Sequence, residues 1–241
     1  MRFRFQSVMA LGAIALAACG DDNPTGPSGS QNAKVEVIHA VADAPAVDVR
    51  IADAAPAVTG LTFGSTPPAS GAGYVDVPAG NRRIQVLAGG TAVIDATRAL
   101  VAGTNYTIIA TGRAAGTPAI APLVLTDDVS TPAAGNIRVR IVHGAATVPN
   151  VDVYVGGAGA ALPTTPALAN VPFRGAADLP AVPAGSYRVC VVLAGAAPAA
   201  GCAIDVTTGA IAAGAVVTAV ALDAAPGSQS PGALLTVDRA P

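Results

Sequence analysis

The chain has 241 residues, a formal charge of −2 and charged side chains at only 12% of positions, so it lacks the basic surface that tracks a phosphate backbone. Nucleic acid is thereby excluded as a partner class. Hydrophobic residues reach 52%, but alanine supplies much of this, and beyond the N-terminus no 18-residue run is free of charges and turn formers, which excludes an integral membrane protein built of helices.

Residues 1–18 read as a signal peptide. Arg2 and Arg4 form a basic start, and Val8 to Ala15 is an apolar stretch too short to span a bilayer. Leu16-Ala17-Ala18-Cys19 follows, and this tetrad resembles the site at which bacterial lipoproteins are diacylated on the cysteine thiol and cut in front of it. The resemblance implies an exported chain lipidated at Cys19, the alternative being an ordinary secretory signal with a chance cysteine. Each buried methylene of the lipid contributes about 0.8 kcal/mol, so several acyl chains anchor the chain to a membrane without spanning it. Gly20, where inner-membrane retention uses Asp, implies an outer-membrane address in a two-membrane host, on its periplasmic face or at the cell surface. Residues 19–32, rich in Gly, Pro, Ser and Asn, read as a flexible tether. Asp21, Asn23 and Gly26 echo a calcium loop, but Pro24 interrupts it and Asn32 stands where the bidentate glutamate belongs, so no metal is expected.

Downstream the chain says nearly the same sentence twice. Val37-Ile38-His39-Ala40-Val41-Ala42-Asp43-Ala44-Pro45-Ala46-Val47-Asp48-Val49 returns as Ile141-Val142-His143-Gly144-Ala145-Ala146-Thr147-Val148-Pro149-Asn150-Val151-Asp152-Val153, with His, Pro and Asp at one constant offset. Two modules follow, over residues 33–132 and 133–241. Alternating Val, Ile, Thr and Tyr runs between Gly- and Pro-containing turns predict strands at 34–39, 47–52, 61–64, 73–77, 83–88, 92–100, 105–111 and 121–126. The second copy retraces them at 137–143, 151–155, around Phe173, and at 178–182, 187–193, 202–206, 216–221 and 233–237. The fold class is all-β: two tandem Ig-like antiparallel β-sandwiches. Residues 125–135 lead out of the first module, and their latter half is a short Pro- and Gly-containing connector, which predicts modules set end to end with limited freedom.

On the motif His-x3-Asp-x-Pro-x-Val-Asp-Val, with Phe63-Gly64 and the turn Pro78-Ala79-Gly80, the chain resembles the bacterial family called domain of unknown function 4397. The second copy fits with Thr147 in place of Asp43 and Asn150 in place of Ala46. The resemblance implies exported, often lipid-anchored β domains and brings no established activity.

His39, Asp43 and Asp48, with His143 and Asp152 in the second copy, are the candidates for metal or acid–base chemistry. Strand parity favours a structural reading. Val35, Val37 and His39 share one face, as do Val139, Ile141 and His143, so each histidine ends an inward apolar row. Asp48 and Asp152 alternate with valines and point outward or cap the preceding loop. Catalytic signatures such as Gly-x-Ser-x-Gly or His-Glu-x-x-His are absent, and no catalytic residue or cofactor is expected. With no tryptophan, only Tyr154 offers an outward aromatic face for a sugar. Cys190 and Cys202 flank a turn-rich segment that can fold as a hairpin and pair them as a disulfide, with two reduced core cysteines as the alternative. The sequence thus predicts a non-catalytic, lipid-anchored envelope protein acting as a structural spacer or interaction module. A surface lipoprotein binding a glycan or an envelope protein is the alternative.

Overall fold

The computed structural model describes residues 31–52, 57–67 and 73–241. Cys19, the signal segment and the tether up to residue 30 lie outside them. In the first module β1 (Asn32–His39), β4 (Val75–Pro78), β7 (Asn105–Thr111) and β8 (Ala121–Asp127) form a sheet in the order β4-β1-β7-β8. Facing it, β2 (Val47–Ile51), β3 (Val58–Leu61), β5 (Gly80–Ala88) and β6 (Thr91–Leu100) run in the order β3-β2-β5-β6. The second module repeats the plan. One sheet holds β9 (Asn136–His143), β12 (Ala176–Asp178), β13 (Val182–Pro183), β16 (Val216–Leu222) and β17 (Gly232–Arg239), ordered β12-β9-β16-β17 with β13 also on β9. The other holds β10 (Val151–Gly157), β11 (Leu168–Val171), β14 (Tyr187–Leu193) and β15 (Ile204–Thr207), ordered β11-β10-β14-β15. No helix among the described residues is long and apolar enough to cross a membrane.

Pairing is antiparallel except that β1 lies parallel to β7, and β9 to β16. Register ties the copies together: Val37 faces Ile108 as Ile141 faces Ala219, and His39 faces Ala110 as His143 faces Ala221. Period-2 alternation sends Val35, Val37, Val47, Val49, Ile84, Val86 and Ile108 into one core, and Ile137, Ile141, Val151, Val153, Val191 and Val217 into another. Each such fully buried side chain contributes about 1.5–3 kcal/mol.

The modules do not stand end to end. Ile38 and Ile109, on the outer face of the β1/β7 sheet, pack with Val142, Val220 and Leu222 on the outer face of the β9/β16 sheet, and Leu123, Leu125 and Leu234 close around them. Both faces of these sheets are apolar, so the residues between the inward positions had a second core to fill instead of solvent. Arg138 pins the connector by donating to the Asp128 carbonyl at 2.6 Å and the Ser130 carbonyl at 3.1 Å.

Two predicted strands shift for one reason. Phe63 and Phe173 lie in turns, after β3 and between β11 and β12, because the chain there bends each ring edge-on against a histidine, with centroids 6.4 Å and 6.3 Å apart.

Candidate functional site

Each repeated histidine ends its first strand with its ring 1% exposed. Nε2 of His39 donates to the Pro45 carbonyl at 3.1 Å, and Nδ1 accepts the Val41 N–H at 3.3 Å, a pairing that requires the neutral ring. Burial accordingly lowers the His39 pKa, only partly countered by the Pro45 carbonyl. His143 repeats the bond, Nε2 to the Pro149 carbonyl at 3.0 Å. Its own carbonyl accepts the Arg174 N–H at 2.8 Å, just as the His39 carbonyl accepts the Gly64 N–H at 2.8 Å. Gly64 and Arg174 both adopt positive φ, +70° and +64°, which turns the chain so that the preceding phenylalanine meets the imidazole. Histidine, proline-pinned loop and Phe turn therefore form one clasp per module.

The acids work on backbone too. Asp43 accepts the N–H groups of Ala114 at 2.8 Å and Ala115 at 3.1 Å, fastening the β1–β2 loop to the β7–β8 loop. Burial pushes its carboxyl upward, but those two N–H groups and Arg113, 3.9 Å away, together hold it below the usual range. In the second copy the acid sits on the opposite loop: Asp223 accepts the N–H groups of Ala146 and Thr147, each at 2.9 Å. Thr147 thus marks a clamp whose acid and amides have changed sides. Asp48 accepts the Gly60 N–H at 2.8 Å, and Asp152 accepts those of Asn170 at 2.7 Å and Gly195 at 2.8 Å. Gly60 and Asn170 have positive φ, +64° and +53°, so each aspartate caps the bulge of the strand beside it.

Tyr154 corrects the sequence reading. It does face away from the sandwich core, but it is 5% exposed, covered by Leu162, Ala196 and the Cys190–Cys202 disulfide. The loop closed by that disulfide folds over the ring, so no aromatic platform is offered there. Of the predicted site residues, Asp43 lines a cleft, a space of about 590 Å³ between the two repeated loops, walled also by Pro45, Arg113, Thr147 and Asp223. No group of three or more His, Cys, Asp or Glu side chains placed to hold a metal occurs among the described residues.

The strongest concentration of buried charge was not read from the sequence. It lies between the modules. Arg140 of β9 brings Nη1 to 2.6 Å from Asp127 Oδ1, an ion pair whose angle falls short of a hydrogen bond, and donates from Nη2 to Thr218 at 2.9 Å and Thr107 at 3.2 Å. Thr107 donates to Asp127 at 2.8 Å, and its counterpart Thr218 donates to Asp238 at 2.6 Å. The Tyr74 hydroxyl donates to Asp127 at 2.7 Å, and burial, then the Asp127 charge, raises its pKa. Glu36 is 1% exposed with Oε2 unpartnered. Burial, then repulsion from Asp238 and Asp127, pushes its pKa up to about 8, with Arg140 offsetting only part. Gly73 beside it has a positive φ of +56°, which favours glycine, and a Cβ there would come within 2.6 Å of Glu36 Oε1 and displace that carboxyl. The signal available was Val35-Glu36-Val37 against Val139-Arg140-Ile141, opposite charges interrupting the same apolar row in the two copies.

The fold and the doubled clasp define a tandem β-sandwich protein. The chain belongs to the family described as Domain of unknown function (DUF4397), which matches residues 33–154 and 141–241 as two copies. No curated protein matches it. Among solved structures it is similar to the TIE protein of Bacillus anthracis, at 10% identity and a TM-score of 0.26, covering 80% of this chain and 34% of that one. A streptococcal virulence factor that binds alpha-glucan gives 13% identity and a TM-score of 0.25, covering 78% and 92%. A streptococcal ancillary pilin gives 14% and 0.22, covering 76% and 60%. The chain spans about a third of the length of the first of these.

Proposed function

We propose that the chain is a non-catalytic protein of the bacterial envelope, anchored through lipid on Cys19 at the outer membrane, whose fused modules act as a spacer or interaction body. The observation that supports this reading is the contact between modules: Ile38, Ile109, Val142 and Val220 are all 0% exposed. A body of fixed shape keeps its far surface at a set distance from its anchored end. The repeated polar residues favour the same reading, because His39, His143, Asp43, Asp48 and Asp152 are committed to backbone groups of their own modules. The alternative, binding of a glycan or an envelope protein, draws on the cleft between the two loops.

Membrane fractionation of cells expressing the full chain tests the anchor: Cys19→Ala moves the protein to the soluble fraction and abolishes incorporation of a fatty-acid label. Retention of both in that variant overturns the lipid-anchor reading. His39→Ala and His143→Ala, which strand the Pro45 and Pro149 carbonyls and hollow the clasp, each lower unfolding free energy by about 2–4 kcal/mol in urea titrations. Intact stability in these variants would free the histidines for a chemical role. Saturable binding of a glycan or envelope extract that disappears in Asp43→Ala or Arg113→Ala would replace the spacer by the binding module.

A further inference from the structure

Because the module occurs twice, each place in one copy has a counterpart in the other fixed by strand register. At the seam between the β6 and β8 edges of the first module, Ile108, Pro122 and Arg98 are among the side chains that line a void of only about 10 Å³. Register puts Ala219 at the place of Ile108, Ala233 at that of Pro122 and Thr208 at that of Arg98. Three large groups are replaced by small ones. The same seam in the second module is a cleft of about 210 Å³.

Two changes run the other way, Val206 at the place of Ala96 and Leu235 at that of Val124, and the cleft stays open in spite of them. Against β6 with 10 residues, β15 has only 4, and Leu235, on the far rim, is left 43% exposed. Every lining side chain is apolar apart from Thr207 and Thr208, and none is charged. A further void of about 40 Å³ shares Ile141, Val189 and Ala219 with the cleft and extends it toward Val155 and Leu179. Leaving such volume empty costs stability in proportion to its size. An apolar cavity of about 150 Å³ admits benzene and stays dry.

We propose that the second module takes a hydrocarbon chain of roughly six to eight carbons between its sheets, entering at the β15–β17 edge with its polar end at Thr207 and Thr208. Two adjoining spaces with lining residues in common favour a chain that runs from one into the other over a ring, and the uncharged wall favours an alkyl segment, whether of a free amphiphile or of a bilayer lipid. The first module, closed at the same seam, is the built-in control. This site is separate from the spacer reading, which rests on the contact between modules.

Methyl-resolved NMR of the folded chain titrated with 1-octanol tests it. Saturable shifts are expected at Ile141, Ile204 and Leu235 and not at Ile84, Ile94 or Ile108. Ala219→Ile, the residue of the first copy, removes the response and raises the melting temperature by several degrees. Thr208→Arg, at the mouth, weakens binding at least tenfold and keeps the test open should Ala219→Ile fail to fold. Response to octanol without response to phosphatidylcholine vesicles assigns the site to free chains, and response to both assigns it to bilayer acyl tails. No saturable shift, equal shifts in both modules, or undiminished binding in folded Ala219→Ile overturns the proposal.

Discussion

Asp43 and Asp223 show how a motif can diverge while its mechanics persist. Two loops at the end of a sandwich need a carboxylate on one and two N–H groups on the other, and either assignment closes them. Thr147→Asp, which restores the motif of the first copy, therefore destabilises by about 1–3 kcal/mol, because it sets a second acid against Asp223. Urea titrations measure this, and adding Asp223→Gly, the counterpart of Gly112, relieves it. Glu36 contributes a pH dependence, and Asp238 beside it, whose carboxyl burial also pushes up, adds to it with the same sign. The folded pKa of Glu36, about 8, lies above its ordinary value of 4.5, so the folded state keeps a proton that the unfolded chain has released. Stability falls as pH rises from 4.5 toward 8 and levels off above. Glu36→Gln reduces that slope and stabilises by roughly 2–4 kcal/mol at the alkaline end, read from denaturation curves across pH. Parity of β1 and β9 made the histidines legible as inward residues. It gave no warning of Glu36, because an even position in a strand looks solvent-facing until something covers it.

The strands were legible wherever alternation was strong, as in β1, β2, β7, β9 and β10. They were misplaced where a phenylalanine belongs to a turn. Val58–Leu61, not the residues around Phe63, pairs with β2, because Thr62–Ser65 closes a turn with the Ser65 N–H on the Thr62 carbonyl at 3.2 Å. Cys190 of β14 is bonded to Cys202, two residues before β15, whereas the counterpart of Cys190 in the first module, Gln85, donates to Asp95 at 3.1 Å. Beside both, an arginine on the inner strand meets the aspartate of the outer one, Arg83 with Asp95 at 2.6 Å and Arg188 with Asp205 at 2.7 Å. Register is therefore held by the same ion pair twice and reinforced covalently once. Reduction lowers the stability of the second module by about 3 kcal/mol and exposes Tyr154, an effect seen as a shifted urea midpoint and increased tyrosine quenching. The tyrosine's direction was readable; the loop folded across it was not, since burial there depends on where the covalent closure lays the chain.

At the scale of the whole molecule, the contact between modules was the feature least legible in the sequence. Ile38, Ile109, Val142 and Val220 look like scattered outward residues in four separate strands, and only the pairing of β1 with β7 and of β9 with β16 gathers them into two apolar faces. Arg140 is the charge on which that contact turns, 11% exposed between Asp127 and Asp238, which are 1% and 2% exposed. Arg140→Ala leaves two buried carboxylates facing each other and costs about 3–5 kcal/mol. Calorimetry then resolves two transitions where the native chain gives one. Arg140→Lys recovers little, since a single ammonium cannot serve Asp127, Thr107 and Thr218 together.

The contacts across this boundary are reciprocal. A Cβ on Gly64 would lie 3.5 Å from Leu222, while Arg174, the counterpart of Gly64, donates to Thr111, the counterpart of Leu222, at 2.8 Å. Ala40 and Gly144, themselves counterparts, meet in the middle, 3.8 Å apart by the same measure. That is the geometry of a twofold dimer written within one polypeptide. Tethering makes the association intramolecular, so it survives any dilution. It also releases the two halves from having to be identical: a true homodimer would carry the same residue at both places, whereas the duplicated chain has Glu36 on one side and Arg140, which pairs with Asp127 and Asp238, on the other.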